Sequence, residues 1–315
     1  MIEIIVTTAP DASFIPAIAR IDAVSGFRFN TGYSYFKGSK ADALSAFKVA
    51  TGRKTAWVDL KTRELKLVTA TEITPGNQIL EINHRVEISN FPALIYFNEG
   101  KKAVEIDQVI DGNKLHVNIP PGRKDFKISF GKGTSFNMPD ARVTDGFFTA
   151  RDVEFVKAAR ELGMHDYCLS YVEAASDIDE LLRLDPDARV IAKIESPRGL
   201  QFVASGYRAV KGKVRLLAAR GDMYVELDRP HDILAALKSI IDADPRAIGA
   251  SRLLLSFLEP GSIPSCADIC DIGFLFKLGY KSFLLGDELC ADENVLKSAI
   301  GVILAIQESH EAARF

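Results

Sequence analysis

Two short charged tetrads carry the residues of this chain that are best suited to chemistry. Ala192-Lys193-Ile194-Glu195 closes an apolar run from 188 to 194, and Ala219-Arg220-Gly221-Asp222 closes another from 214 to 219. Each tetrad places charged groups where a predicted strand ends. Burying a lysine or a carboxylate there is costly unless the charges are paired or bind a metal. The tetrads therefore indicate a Lys–Glu–Asp site for a divalent cation and an anionic substrate.

Each residue type suggests a role. Glu195 and Asp222 offer hard oxygen ligands of the kind that Mg²⁺ or Mn²⁺ prefers. Lys193 lies two residues before Glu195, so both side chains point to the same side of a strand, where the ammonium either stabilises developing negative charge or neutralises Glu195. Gly221 has no Cβ, so its N–H can approach a substrate carboxylate closely. Arg220 is either a substrate ligand or one half of a structural ion pair.

Most of the chain alternates short apolar runs with helical segments, for example a strand at 3–7, a helix at 13–24 and a helix at 40–51. The pattern gives eight strands and eight helices, which predicts a (β/α)8 TIM barrel whose active site lies at the carboxyl ends of the strands. Arg28 at one such end is a candidate clamp for an anion. The residues at these ends are Thr7, Arg28, Asn30, Asp59, Lys61, Ser170, Lys193, Glu195, Arg220, Asp222, Ser251, Asp287 and Glu288.

The middle of the chain follows a different pattern. From about 69 to 142, apolar and polar residues alternate in short runs that are separated by turn signals such as Pro75-Gly76-Asn77 and Asp111-Gly112-Asn113. This is typical of antiparallel strands. We therefore expect a barrel from 1–68 and 143–315, with a small all-β lid domain at 69–142 inserted after the third strand.

Composition excludes several classes of protein. The net charge of −3 and the lack of a basic block give no reason to expect a nucleic-acid partner. The sequence contains no stretch of 18 uncharged apolar residues, so we expect no transmembrane helix. The N-terminus lacks the basic region of a signal peptide, so we expect a cytoplasmic protein. The four cysteines are not expected to form a disulfide framework. Cys266 and Cys270 are four residues apart and share one face of a predicted helix, so they are either a metal or redox pair or two small buried residues. The five histidines show no ligand spacing and are interpreted as structural.

The two tetrads resemble the two barrel motifs of the pyruvate kinase family, and the order of the other parts is similar. Ile4–Pro10 resembles the first strand of that family and the loop after it, and Val58–Glu64 resembles the third strand. The expected insert lies where that family carries its B domain. The remaining segments that resemble the family are Phe27–Asn30, Phe136–Pro139, Ser170–Val172, Ile248–Ser251 and Phe283–Asp287.

The resemblance implies phosphoryl transfer between phosphoenolpyruvate and ADP, or another acceptor, through a pyruvate enolate bound to Mg²⁺ or Mn²⁺. The residues that it assigns to catalysis are Lys193, Arg28 and Ser251, the last as a proton relay where the family has Thr. Those assigned to substrate are Arg220, Gly221, Asp222 and Ser170, and those assigned to the divalent metal are Glu195 and Asp222. A K⁺ site is implied at Asn30 and Asp59, and nucleotide contacts at Pro10 and Lys66.

Several positions depart from the family pattern. Gly32 and Leu60 replace a Ser and a Thr that help bind K⁺, and Tyr33 replaces a His near the nucleotide. Glu173 replaces an Arg after the fourth strand. The departures weaken the expectation of K⁺ and nucleotide sites and leave the metal and enolate residues in place.

Two alternative functions therefore stay open. One is a metal-dependent aldolase or decarboxylase that acts on a 2-oxo acid through the same enolate, and the other is a non-catalytic homologue that binds a 2-oxo acid. The expected partners are phosphoenolpyruvate, pyruvate or another 2-oxo acid and ADP or ATP, with no nucleic acid and no membrane. The chain ends after the eighth predicted helix, so we expect it to lack the family's C-terminal regulatory domain and to form a monomer or a homodimer.

Overall fold

Sixteen strands are found in the computed structural model, which describes residues 2–32, 38–119, 127–259 and 263–313. In chain order they are β1 (Glu3–Thr7), β2 (Val24–Asn30), β3 (Thr55–Leu60), β4 (Thr71–Ile73), β5 (Gly76–Glu81), β6 (Val86–Ile88), β7 (Ala93–Phe97), β8 (Lys102–Ile110), β9 (Lys114–Ile119), β10 (Ile128–Phe130), β11 (Ala141–Val143), β12 (Asp166–Leu169), β13 (Arg189–Ile194), β14 (Val214–Ala219), β15 (Ile248–Ala250) and β16 (Ser282–Leu285).

Eight of these strands close into a parallel barrel in the order β1-β16-β15-β14-β13-β12-β3-β2. Their continuous apolar runs suit strands that are buried on both faces. One hydrophobic cluster lies between the strands and the helices, and a smaller one fills the barrel interior with residues such as Ile5, Ile191 and Leu217. The predicted TIM barrel is confirmed.

The two-residue period of a strand explains why the carboxyl ends are polar. Ile191 belongs to the interior cluster, so Lys193, two residues later on β13, points to the same side. Trp57 packs against that cluster on β3, and Asp59 follows it with the same spacing. The interior is therefore apolar near the amino ends of the strands and charged at the carboxyl ends.

The described part of the chain contains nine α-helices, and most begin at a capping residue. The Thr149 side chain accepts a hydrogen bond from the Asp152 N–H, and the Asp152 side chain accepts one from the Thr149 N–H. Ser196 accepts a hydrogen bond from the Gly199 N–H at the start of the helix that begins with Pro197. The helices are α1 (Ile15–Ile18), α2 (Lys40–Thr51), α3 (Ala150–Glu161), α4 (Ala175–Leu184), α5 (Pro197–Ser205), α6 (Arg220–Glu226), α7 (Ile233–Ala243), α8 (Cys266–Leu278) and α9 (Glu293–Ala313).

Two local differences from the sequence prediction bear on the site. The helix expected at 13–24 is wrong: only α1 is helical, and Val24 already belongs to β2. The second tetrad does not simply end a strand, because Arg220 starts the short helix α6 directly after β14.

The described strands between β3 and α3 pair with one another in antiparallel fashion, as the alternating pattern predicts. β5, β9, β8 and β7 form one sheet, and β10 pairs with β4 and β11 with β6. They enclose a hydrophobic cluster of their own, in which the rings of Phe97 and Phe130 stack with centroids 3.9 Å apart. The assignment of 69–142 as a separate lid domain stays a prediction.

None of the helices in the described ranges combines the length and the apolar character that a membrane crossing requires.

Candidate active site

The carboxyl ends of the barrel strands open into one cavity of about 430 Å³. Residues singled out in the sequence that line it are Arg28, Asn30, Lys61, Lys193, Glu195, Asp222, Ser251, Asp287 and Glu288. Those that are absent from its described lining are Thr7, Pro10, Asp59, Lys66, Ser170, Arg220 and Gly221. The two tetrads thus contribute to one cavity, as their positions at strand ends predict.

A larger cavity of about 630 Å³ lies elsewhere, between β11 and the helices α4 and α5. Two of its arginines are already paired, Arg63 with Asp177 at 2.7 Å and Arg198 with Glu173 at 2.9 Å. Its described lining contains none of the barrel's strand-end residues that the sequence singled out. The smaller cavity is therefore the candidate active site.

Lys193 is held at the centre of a buried charge network. Its Nζ lies 3.0 Å from Glu195 Oε1 and 3.7 Å from Asp59 Oδ1, and it donates a hydrogen bond of 2.9 Å to Ser170 Oγ. Burial opposes the charged form, but Asp59 and Glu195 outweigh it and raise the pKa of Lys193 above its ordinary value. The ammonium is therefore charged and fixed in position, and Ser170 orients it from outside the cavity.

Glu195 is 1% exposed, and its Oε2 accepts a 2.6 Å hydrogen bond from the Tyr171 N–H. Burial raises the pKa of Glu195 to about 7, with Lys193 opposing the shift and the Asp222 carboxylate adding to it. The Asp222 carboxylate thus disfavours the charged form of Glu195, and a divalent cation bound by both carboxylates would relieve this repulsion. Glu195 and Asp222 therefore fit Mg²⁺ or Mn²⁺, with water and substrate oxygens as the other ligands.

A second buried network joins the β-rich segment to the barrel. Asn137, between β10 and β11, points its Nδ2 at Tyr171 Oη (2.8 Å), Asp222 Oδ1 (3.2 Å) and Glu226 Oε1 (3.1 Å). Burial raises the pKa of Glu226 to about 8; the hydrogen bond from Asn137 opposes the shift and Asp222 adds to it. Asn137 thus links the Asp222 carboxylate to Tyr171 and Glu226.

Asp59 is fully buried and surrounded by cations. Lys61 Nζ lies 2.8 Å from its Oδ2, Arg28 Nε lies 3.8 Å from the same oxygen, and Lys193 Nζ faces its Oδ1. Burial alone would raise the pKa of Asp59, but Lys193, Lys61 and Arg28 together lower it below its ordinary value. A K⁺ ion beside Asp59 would add a further positive charge to this set, so the residues expected to hold K⁺ do not fit it.

Arg28 and Asn30 face the cavity from β2, and both bind Asp287. Arg28 Nη2 lies 3.0 Å from Asp287 Oδ2, and Asn30 Nδ2 donates to both carboxylate oxygens at 3.1 and 3.2 Å. The guanidinium is only 11% exposed. Arg28 is thus held where it can meet an anion in the cavity.

Arg220 is one half of a structural ion pair, the second of the two roles expected for it. Its Nη1 lies 2.6 and 2.8 Å from the two carboxylate oxygens of Asp271, and its Nη2 donates to the Ser251 carbonyl at 2.8 Å. The Gly221 N–H donates to Ser251 Oγ at 2.7 Å, and that hydroxyl in turn donates to the Ala250 carbonyl. Ser251 itself has φ +59°, a left-handed conformation that places its side chain at the cavity.

The two residues expected to contact a nucleotide, Pro10 and Lys66, are absent from the described lining of the cavity. Pro10 is buried in the turn after β1. Lys66 Nζ lies 3.4 Å from Glu64 Oε1, and burial lowers the pKa of Lys66 while Glu64 opposes that shift. Tyr33, at which the sequence departs from the family near the nucleotide, lies outside the described residues.

One tight group of metal-ligating side chains is found among the described residues, at the opposite end of the barrel: His165, Asp185 and Asp187. Asp185 is fully buried, and its carboxylate already accepts hydrogen bonds of 2.8 Å from His165 Nδ1 and from Tyr167 Oη. These contacts favour a structural role for His165, in line with the interpretation of the histidines from sequence.

Three residues of the site were not singled out from the sequence: Asn137, Tyr171 and Glu226. Glu226 lies four residues after Asp222, so a helical period starting at Arg220 would have placed both carboxylates on one face. Tyr171 follows a strand end and has φ +48°, which a single sequence does not reveal. Asn137 lies in the segment Phe136–Pro139 that resembles the family, but its contacts at the site are long-range and were not predicted.

The chain is similar in sequence to several proteins named pyruvate kinase. It is 25% identical over 283 residues to that of Thermotoga maritima, a match that covers 85% of the chain and 57% of the relative. It is 27% identical over 232 residues to that of Mycobacterium tuberculosis, covering 70% and 46%. The chain is related to the pyruvate kinases. A 30% match over 199 residues to the pyruvate kinase of Agrobacterium vitis, covering 62% and 39%, agrees with this relationship.

The chain spans about half the length of the curated relatives it matches. No family model matches it.

Proposed function

We propose that this chain is a pyruvate kinase-like phosphotransferase that moves a phosphoryl group between phosphoenolpyruvate and ADP or another acceptor. The observation that carries the proposal is the convergence of Lys193, Glu195 and Asp222 on one cavity from two separate strand ends. The relationship to the pyruvate kinases supports the reaction class.

The roles follow from the contacts. Glu195 and Asp222 would hold Mg²⁺ or Mn²⁺, which supplies Lewis-acid stabilisation of negative charge on substrate oxygens when it is bound. The Lys193 ammonium, fixed by Ser170, stabilises charge that develops on the transferring phosphoryl group or on the enolate oxygen. Arg28 binds a further anionic oxygen, and the Ser251 hydroxyl, which lines the cavity, would pass a proton between water in the cavity and the enolate carbon.

We also propose that residues 69–142 form a domain that closes over the site. Glu99 and Ser135 from this segment line the cavity. Glu99 Oε2 lies 3.1 Å from Arg252 Nη2 of the barrel. A segment that contributes to the cavity and has its own hydrophobic cluster is suited to exclude water from the reaction.

The direct test is turnover of phosphoenolpyruvate with ADP and Mg²⁺, measured as pyruvate release. Lys193→Met should lower kcat by about 10²- to 10³-fold, the cost of losing one preorganised charge at the transition state. The matched control is Lys238→Met, which removes an exposed lysine that is ion-paired with Asp242 on α7 and should leave kcat unchanged. A wild-type protein without turnover, or a Lys193→Met variant with full turnover, would contradict the proposal.

A metal-dependent 2-oxo acid lyase is the second candidate, because the expected nucleotide residues Pro10 and Lys66 are absent from the described cavity lining. A lyase needs the metal and the carboxylate pocket but no nucleotide. Release of pyruvate from oxaloacetate or from a 4-hydroxy-2-oxo acid, without turnover of phosphoenolpyruvate, would favour the lyase.

A further inference from the structure

The cavity contains an anion that belongs to the chain itself, the carboxylate of Asp287. We infer that Asp287 competes with ligands for the anion site formed by Arg28 and Asn30, and so weakens the binding of phosphoryl groups relative to that of unphosphorylated 2-oxo acids. The part of the inference that concerns turnover rests on the proposed function; the part that concerns anion binding does not.

The first support is the set of donors that Asp287 uses. Its Oδ2 lies 3.0 Å from Arg28 Nη2, and Asn30 Nδ2 donates to Oδ1 at 3.1 Å and to Oδ2 at 3.2 Å. All three side chains line the cavity. Because an arginine binds carboxylate and phosphate oxygens through the same N–H groups, the Asp287 carboxylate lies where an anionic oxygen of a ligand would bind.

The second support is that the barrel itself brings Asp287 to this place. The Thr7 hydroxyl donates to the Leu285 carbonyl at 2.8 Å and so holds the end of β16 against β1. On its other side, Thr7 is in register with Arg28 of β2. Asp287 follows two residues after the end of β16, so its carboxylate meets the cation of β2 across the end of β1.

The third support is the difference in exposure between the two partners. The Asp287 side chain is 31% exposed, whereas that of Arg28 is 11% exposed and has a second carboxylate nearby, with Asp59 Oδ2 at 3.8 Å from its Nε. Water weakens an ion pair with a solvated partner. A ligand anion can therefore displace Asp287 toward solvent while Arg28 stays in position.

The fourth support is the charge around the cavity. Its described lining carries six acidic and four cationic side chains, so a divalent cation at Glu195 and Asp222 would do no more than balance the excess. Repulsion between charges grows with the charge of the ligand, so each negative charge that a phosphoryl group adds is opposed. Asp287 opposes it most directly, because its carboxylate is in contact with the guanidinium that would bind the phosphoryl oxygens.

The binding test uses inorganic phosphate as the probe and the metal-free protein. Asp287→Asn keeps the size of the side chain and removes its charge, so phosphate should bind about 10-fold tighter than to the wild type in isothermal titration calorimetry. Asp287→Ala should shift the affinity in the same direction and serves as the second variant if the first does not fold. A phosphate affinity equal to or below that of the wild type would overturn the inference.

Two controls separate the contact of Asp287 with Arg28 from the general loss of a charge. Glu288→Gln removes the same charge from the next residue, which is exposed and also lines the cavity, and should give only a small part of the gain. On an Arg28→Gln background, Asp287→Asn should give no gain, because its effect acts through Arg28. An equal gain in Glu288→Gln, or a gain that persists without Arg28, would contradict the inference.

Oxalate, titrated in the presence of Mn²⁺, tests the selectivity. Oxalate carries carboxylates but no phosphoryl group, so Asp287→Asn should change its affinity much less than that of phosphate. Equal gains for the two anions would show that Asp287 does not discriminate between them and would contradict the inferred selectivity.

Turnover of phosphoenolpyruvate with ADP and Mg²⁺ gives a further readout. Asp287→Asn should lower KM for phosphoenolpyruvate by about 10-fold and leave kcat unchanged, because the carboxylate competes with the bound substrate and takes no part in the chemical step. An unchanged KM would contradict the part of the inference that concerns turnover. If neither protein turns over phosphoenolpyruvate, the proposed function fails, and the phosphate and oxalate titrations still decide the question of anion binding.

Discussion

Replacing Glu226 by glutamine should remove a loss of stability that the protein otherwise shows as the pH rises. Glu226 is 4% exposed, and its Oε1 lies 3.1 Å from Asn137 Nδ2 and 3.4 Å from Tyr171 Oη. Burial raises its pKa from 4.5 to about 8, with Asp222 adding to the shift and the hydrogen bond from Asn137 opposing it. Glutamine keeps the shape of the neutral carboxyl group and cannot ionise.

The sign follows from the two states of the carboxyl group. Because its pKa is higher in the folded protein than in the unfolded chain, the folded state holds the proton more tightly. The stability that this provides is present below about pH 4.5 and is lost as the pH rises to about 8. At about 1.4 kcal/mol for each pKa unit, the loss reaches at most roughly 5 kcal/mol. The variant should therefore gain up to that amount relative to the wild type between about pH 5 and about pH 9.

Urea unfolding in EDTA, followed by the fluorescence of the single tryptophan Trp57, measures this gain. Trp57 packs against the barrel interior and so reports on the barrel. Glu308→Gln on the exposed face of α9 is the matched control and should follow the wild type at every pH. Parallel stability curves for Glu226→Gln and the wild type would refute the reasoning, since they would show that Glu226 ionises alike in both states.

Three further predictions concern the metal, the thiols and the β-rich segment. Because the pKa of Glu195 is about 7, Mn²⁺ affinity should fall as the pH drops below that value; electron paramagnetic resonance measures it, and a constant affinity would contradict the assignment. The exposed Cys266 and Cys270 should react with a thiol reagent in the native protein, whereas the other two cysteines, which are buried, should react only after unfolding. Phe97→Ala should cost about 3–5 kcal/mol in urea unfolding because the buried ring stacks on Phe130; an unchanged unfolding curve would contradict the assigned core.

The barrel was predictable because its signals are local. A short apolar run that ends in a charged residue marks both the buried body of a strand and its carboxyl end, as at Ile191 and Lys193. A capping pair such as Thr149 with Asp152 marks a helix start within four residues of sequence. The helix prediction for 13–24 was wrong because an apolar pattern alone does not set the length of a helix. Phe14 provides no side-chain cap, and the chain must return to the barrel by Val24.

The site was predictable only in part, because only some of its contacts arise from local spacing in the sequence. The period of two placed Lys193 and Glu195 together, and the barrel's closure brought Asp222 to the same cavity. The partners that tune these groups come from distant segments, and neither the docking of Asn137 nor the contact of Lys61 with Asp59 leaves a periodic signal. The orientation of Arg220 toward Asp271 likewise depends on how α6 packs against α8.

The central claim is that Glu195 and Asp222 together hold one divalent cation at the mouth of the barrel. The measurement that tests it most directly is a crystal structure of the protein with Mn²⁺ and oxalate, with the metal located by its anomalous scattering. We expect one strong peak within bonding distance of both carboxylates, with oxalate oxygens completing the coordination. A peak at His165 and Asp185 instead, or no ordered metal between Glu195 and Asp222, would contradict it.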